Sequence, residues 1–277
     1  MTALRRNPAL ALGLALTVMA LAIALVSLWW TPYPPARIAM ARRLQGPSAA
    51  NWLGTDHFGR DLMSMMMVGI RNSLVIATSG VALGAAIGTA LGLAAVALRG
   101  WLEEAAMRAM DFVLAFPAVL AAIVIMAMMG AGSLTTIVAI AVANVAVFAR
   151  LGRALALDLW SRDFVRAARA LGCGPLRLAF VHVLPNMAGL LAVHATVQIA
   201  VALLIEAGLS YLGLGIQPPD ASLGRMLNDA QTNMGRAPTI AIFPGAALAL
   251  IVLGINMLGD GLRDWLDPRT AQDAPAL

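Results

Sequence analysis

The chain has 277 residues, of which 61% are hydrophobic, 12% charged and 5% aromatic. An ordinary soluble domain is about a quarter charged, so this chain has too little charge to cover a water-facing surface, which argues against a soluble enzyme. The net charge of +5 rests on 19 basic residues, all of them arginine, and in so apolar a chain that excess belongs at a membrane surface rather than on nucleic acid.

Five stretches lack any Asp, Glu or Arg: 7–36, 72–98, 112–149, 178–205 and 237–259. Each is long enough to cross a hydrocarbon core of about 30 Å at about 1.5 Å per helical residue. The third would run about 57 Å as one helix, and it carries Gly130-Ala131-Gly132-Ser133 near its middle, so it reads as a helical hairpin. Six spans result, near 10–29, 73–98, 112–129, 134–149, 187–209 and 240–258. Strict period-2 alternation is missing, which removes a membrane barrel and leaves an all-α membrane protein.

Arg5 and Arg6 precede the first span, as in a secretory signal. Its apolar run from 9 to 30 exceeds a signal core of about 7–15 residues, and Trp29-Trp30 is placed as an interfacial anchor, so an uncleaved helix is expected. Three units follow: an anchor helix with an external segment over 1–72, a core of five spans over 73–260, and a cytoplasmic tail over 261–277. In the external segment, Met63, Met65, Met66 and Met67 could suggest soft-metal contact, but they read better as flexible packing of a short helix lying on the membrane surface. Gly84, Gly88 and Gly92 in the second span form a small-residue stripe that lets a neighbouring helix come close.

Arginine counting sets the orientation. With the N-terminus inside, twelve arginines fall in inner segments and seven in outer ones, which places both termini in the cytoplasm. The outer total is high because the segment between the first two spans is itself arginine-rich.

Most inner charge lies in one connection, 150–185, too long to be structureless. Within it, Phe164, Ala167, Ala168 and Leu171 recur at i, i+3, i+4 and i+7 with arginines opposite, the pattern of a short amphipathic helix. Gly172 and Gly174 break it, and Pro175 opens a second helix leading to Pro185 and back into the bilayer. The first helix either rests on lipid headgroups or docks into a cytoplasmic partner.

Polar groups within spans mark a translocation path or tie helices together. Asn144, His194, Gln198, Glu206 and Asn256 are the candidates. For Asn144, Gln198 and Asn256 an interhelical tie is the simpler reading, whereas Glu206 either pairs with an arginine near the outer surface or faces a wet cavity. His57, His182 and His194 show no i, i+4 pair, and Cys173 is the one cysteine, so no metal site is expected.

Arg166-Ala167-Ala168, three residues, Gly172, nine residues, then His182-Val183-Leu184-Pro185 resembles the cytoplasmic EAA loop of bacterial ATP-binding-cassette (ABC) importer permeases. Arg166 stands where that family has Glu, and His182 where it has an aliphatic residue. Leu53-Gly54-Thr55-Asp56-His57-Phe58-Gly59-Arg60-Asp61 is similar to the LGTD-x2-GRD motif of the dipeptide, oligopeptide and nickel group. Leu209-Ser210-Tyr211-Leu212-Gly213-Leu214-Gly215 with Gln217-Pro218-Pro219, and Leu258-Gly259-Asp260-Gly261-Leu262-Arg263-Asp264 with Asp267-Pro268, resemble two further segments of that group. The order and spacing match its second, C-type permease.

The resemblance implies a type I importer permease fold of six transmembrane helices with a cytoplasmic coupling helix. It implies a second homologous permease, two ATPase subunits and a periplasmic or lipid-anchored solute-binding protein as partners. Phe164, Arg166, Ala167, Ala168, Leu171, Gly172 and Pro185 would then belong to the ATPase-coupling loop, and Gly54, Thr55, Asp56, Gly59, Arg60 and Asp61 to an external motif that fixes local structure or meets the binding protein. This chain would be a non-catalytic subunit in the bacterial inner membrane, without a cofactor of its own, and ATP and Mg would sit on the ATPases. It has no phosphate-binding Gly-x4-Gly-Lys loop. The cargo expected is short peptides; a nickel or metal-chelate importer has the same architecture, and a secondary transporter without an ATPase is the remaining class.

Overall fold

A computed structural model describes residues 8–266. Arg5, Arg6, Asp267, Pro268 and Arg269, with the expected tail beyond 266, lie outside the described residues. The described chain is helical, with a lone bridge between Thr55 and Asp61 in place of strands. In order the main helices are α1 (Pro8–Val26), α2 (Leu62–Leu98), α3 (Trp101–Ala115), α4 (Ala118–Met129), α5 (Ser133–Trp160), α6 (Asp163–Ala170), α7 (Leu184–Tyr211), α8 (Leu223–Ala230) and α9 (Thr239–Leu266). Pro175–Arg177 and a π-turn over Leu178–Val183 lead directly into α7.

Five helical stretches are long and apolar enough to cross a membrane, and the pair α3–α4 makes a sixth if its bent halves are one span. The all-α, multi-span expectation therefore holds, and the hairpin turn lies at Gly130 to Gly132 between α4 and α5. Two span boundaries are corrected. The third span was expected as one helix over 112–129, but α3 and α4 meet at 92°. Pro117 causes the break: it pushes the preceding residue out of the helical region, and Phe116 is extended at φ −91°, ψ 136°. The second span was expected to start at 73 after a separate surface helix, but α2 begins at Leu62 and runs 37 residues unbroken. Asp61 caps its N-terminus by accepting from the Ser64 N–H at 2.8 Å, and no proline interrupts the helix. Met63 to Met67 are thus its first turns, and the unit boundaries expected at 72 and 260 fall inside α2 and α9.

The centre of the bundle is α2 against α5. These helices run in the same direction, and a Cβ added at Gly80, Gly84, Gly88 or Gly92 would meet Ile140 Cγ2 at 2.6 Å, Asn144 Cβ at 2.4 Å, the Val145 carbonyl at 2.4 Å or the Ala149 carbonyl at 2.4 Å. The glycine stripe therefore brings two backbones into contact, one turn at a time. Phe148, Ile140, Val81, Ala77 and Leu203 fill the space around that seam. The same device joins α1 to α9, where Gly13 faces the Leu258 backbone and Gly254 faces Leu16.

Replacing Gly88 with Leu is expected to destabilise the protein by on the order of 1–3 kcal/mol through overpacking. Gly208→Ala, in α7 with nothing near its added methyl, should leave stability unchanged. Thermal unfolding in mild detergent checks the pair.

Candidate functional site

At the end of the bundle where α2 and α5 terminate, α6 protrudes on a 161–183 elbow. The helix is tied to the body by Val165, which is fully buried among Leu93, Val96, Ala156, Trp160, Leu178, Ala179 and Val183. Ala168 packs partly against the same cluster. Phe164 and Leu171 remain 39% and 87% exposed, and Ala167 is exposed between them. The amphipathic face read from the sequence is thus real, but most of it faces away from the protein, and Val165, which the sequence reading passed over, is the anchor. One signal was available: Val165 and Ala168 are three apart.

The elbow turns on a Schellman motif. The Gly172 N–H donates to the Arg169 carbonyl at 2.9 Å and the Cys173 N–H to the Ala168 carbonyl at 3.2 Å. Gly172 has φ +85° and nothing within 4 Å of an added methyl, so glycine is needed here for its backbone, not for a close approach. Pro175 occupies the first turn of the next helix, as expected. The π-turn before Pro185 widens the helix where the proline ring would otherwise crowd the preceding turn, and Asn186 Nδ2 donates to the His182 carbonyl at 2.6 Å. Arg166 pairs with Asp163 of its own helix, and the Arg169 guanidinium lies 5.6 Å from the Trp160 ring centre.

At the opposite end, the Leu53 to Asp61 motif is a folded knot around the start of α2. Asp56 Oδ1 accepts from the N–H groups of Phe58 and Arg60, both at 2.8 Å, and Oδ2 from Arg60 Nε at 2.6 Å. Arg60 also reaches Asp229 of α8 at 3.3 Å, and Asp229 accepts from Arg225 Nε at 3.2 Å. Asp61 accepts from Asn51 Nδ2, the Ser64 N–H and the Ser64 hydroxyl. Thr55 donates its hydroxyl to the Arg42 carbonyl and accepts from the Gln45 N–H. Gly54 and Gly59 have φ of +87° and +73°, and a methyl on Gly59 would collide with the Ala39 carbonyl. These six residues hold the segment to α2 and α8; Asn51, Ser64 and Asp229 complete the network and carry no motif that would flag them.

Within the spans, Gln198 Nε2 donates to Asn144 Oδ1 at 3.2 Å, and Asn144 Nδ2 to the Ile140 carbonyl at 2.9 Å, so the two tie α5 to α7. The His194 ring meets Phe148 edge-on at 5.5 Å, and Asn256 is partly exposed on α9. For Glu206 the arginine pair raised from sequence is not formed among the described residues. The Glu206 side chain is fully buried. Ser210 donates to its Oε1 at 2.7 Å, while its Oε2 is buried without a hydrogen-bond partner among the described residues. Among the described residues no three His, Cys, Asp or Glu side chains gather as metal ligands.

Asp56→Ala leaves Arg60 without its main partner at 12% side-chain exposure, and a loss on the order of 3 kcal/mol is expected for breaking a buried pair. Glu104→Ala removes an exposed pair whose side chains are 77% and 64% exposed and should cost less than about 1 kcal/mol. Denaturation of the purified protein in detergent separates the two.

The family described as binding-protein-dependent transport system inner membrane component matches residues 84–272. A glutathione transport system permease protein of Pectobacterium atrosepticum is 41% identical over 96% of this chain and 88% of its own length. A putative peptide permease protein of Brucella suis is 42% identical over 95% of this chain and 88% of its own. A dipeptide transport system permease protein of Alkalihalophilus pseudofirmus is 40% identical over 96% and 88%. Among solved structures, an inward-facing MetNI methionine ABC transporter chain superposes with a TM-score of 0.62 at 18% identity, covering 74% of this chain and 98% of that one. That last likeness concerns the fold, in agreement with a type I importer permease. With its glycine-sealed spans, exposed elbow helix and matching relatives, the chain belongs to the binding-protein-dependent transport system inner membrane components, as a permease subunit of an ABC importer.

Proposed function

We propose that this permease carries short peptides inward, paired with a second permease and driven by two ATPase subunits that grip α6, with a solute-binding protein delivering cargo at the other end. The observation that carries this reading is the elbow: a helix anchored by one buried valine presents Phe164, Ala167 and Leu171 to the outside, a knob that would be costly to leave against water. ATP and Mg belong to the ATPases in this reading, and the chain moves by rocking between inward-open and outward-open states. Peptide cargo is supported by the names of the relatives, which include glutathione, peptide and dipeptide permeases. Both termini lie in the cytoplasm in this reading, which the arginine bias supports.

With Arg166 held to Asp163, the ATPase groove would meet an arginine where related loops offer a carboxylate, so a complementary acidic residue is expected there. Ala167→Asp and Leu171→Asp should abolish uptake and release the ATPases during purification while the permease stays in the membrane. Gly172→Asp should act through backbone strain and disturb the elbow itself. Val165→Asp should instead lower the amount of folded permease, because it places a charge in the apolar cluster beneath the helix.

Uptake of labelled dipeptide, glutathione and nickel by cells carrying or lacking the whole operon tests the cargo: peptide uptake that depends on this chain is expected, and nickel uptake alone overturns it. Cysteines introduced near Gln217 should react from the periplasm and near Arg169 from the cytoplasm; the reverse pattern overturns the orientation.

A further inference from the structure

The segment after α1 is basic although it lies at the end opposite the elbow. Arg37, Arg42 and Arg43 are exposed and form no ion pair among the described residues. Ile38 and Met40 between them are 62% and 60% exposed. Arg37 and Arg42 line a groove with Tyr33 and Asn51. Asp61 also borders it and keeps its charge while accepting from Asn51 and Ser64, so two arginines against one carboxylate leave the groove net positive. A second groove shares Tyr33 and Asp61 and is walled by Trp30, Pro32, Trp52 and Met63.

The height of these grooves follows from α2. Arg71 donates to the Ser27 carbonyl at 3.2 Å, which sets it level with the end of the α1 span. Ser64, seven residues earlier on α2, accepts from the Tyr33 N–H at 3.0 Å, and seven residues of helix rise about 10 Å. The headgroup layer on one side of a bilayer is about 5–8 Å thick beyond the hydrocarbon. The arginine groove therefore lies at the outer edge of the headgroup layer, whereas the Trp30 N–H still donates to the Val26 carbonyl at 2.9 Å, so the tryptophan groove begins at the end of the α1 span.

We propose that the Arg37–Arg42 groove and the Trp30–Trp52 groove beside it form a binding site for an anionic phospholipid of the leaflet into which α1 emerges. The phosphate sits between the guanidinium groups, which suit a phosphate as paired donors, and the glycerol and upper acyl chain lie along Trp30 and Trp52. Arg43, Ile38 and Met40 rest on the surrounding surface. The site rests on the membrane reading of the chain but not on its cargo or its partners.

The test uses the full importer complex, or the permease as purified, reconstituted into nanodiscs of phosphatidylcholine with increasing phosphatidylglycerol. Native mass spectrometry after release into detergent should show phosphatidylglycerol retained about tenfold over phosphatidylcholine. The triple variant Arg37→Gln, Arg42→Gln, Arg43→Gln should lose that preference, and Arg99→Gln at the other end should keep it. Equal retention of the two lipids by the unaltered protein, or an unchanged preference in the triple variant, overturns the proposal. Displacement of the lipid by millimolar inorganic phosphate also overturns it, since the groove then takes free anion. If the triple variant does not fold, a photoactivatable phosphatidylglycerol on the unaltered complex decides: cross-links within 30–63 support the site, and cross-links elsewhere defeat it. Dipeptide uptake by the same complex in pure phosphatidylcholine reports on cargo separately.

Discussion

Lipid gives helices no hydrophobic reason to associate, because its tails are as apolar as their side chains. Everything in this protein depends on how α2 and α5 meet without that driving force. Four glycines on α2, spaced four apart, remove the side chains that would hold the backbones apart, and α5 supplies the carbonyls of Ile137, Ala141, Val145 and Ala149 at matching steps of four. Dispersion contacts accumulate along the seam. Because both helices run the same way, the seam links the knot at the head of α2 to the elbow at its foot.

Polar groups are placed around this seam rather than scattered. Asn144 and Gln198 extend it to α7, and Glu206 of α7 accepts from Ser210 through one carboxyl oxygen while the other is buried without a hydrogen-bond partner among the described residues. A polar group so deeply buried is costly unless it is paired. Gly224 packs against the Ala207 backbone next to it, so α8 is drawn against α7 at the point where the network of Asp56, Arg60 and Asp229 also holds it.

Much of this was legible in residue order because the signals are physical and local. Uncharged stretches mark spans, small residues every fourth position mark a close helix contact, and the Gly130–Gly132 turn marks a hairpin. The amphipathic period of 163–171 marks a helix, and Gly172 marks its end. What escaped depended on partners distant in sequence. Val165 looks like any valine until α2, α5 and the π-turn close around it. Asp229 joins the network through Arg60, 169 residues away. The start of α2 was misplaced because polar Arg71 and Asn72 interrupt hydropathy without interrupting a helix: Arg71 reaches the Ser27 carbonyl, and Asn72 the Ala221 carbonyl at 2.8 Å. Pro117 was overlooked because it lies inside an uncharged run, where hydropathy registers nothing of backbone geometry.

The break at Pro117 divides α3 from α4 and leaves α3 without a single buried residue. Its hold on α5 is ionic: Glu103 with Arg153 at 2.7 Å and Asp111 with Arg150 at 3.2 Å. A helix clasped by charge rather than interlocked by shape can slide or lift without tearing a packed core, since interiors resist deformation more than ion pairs at a surface do. The bundle thus combines a rigid keel, α2 with α5, and a loosely moored flank, and in such a body displacement concentrates where the mooring is weakest.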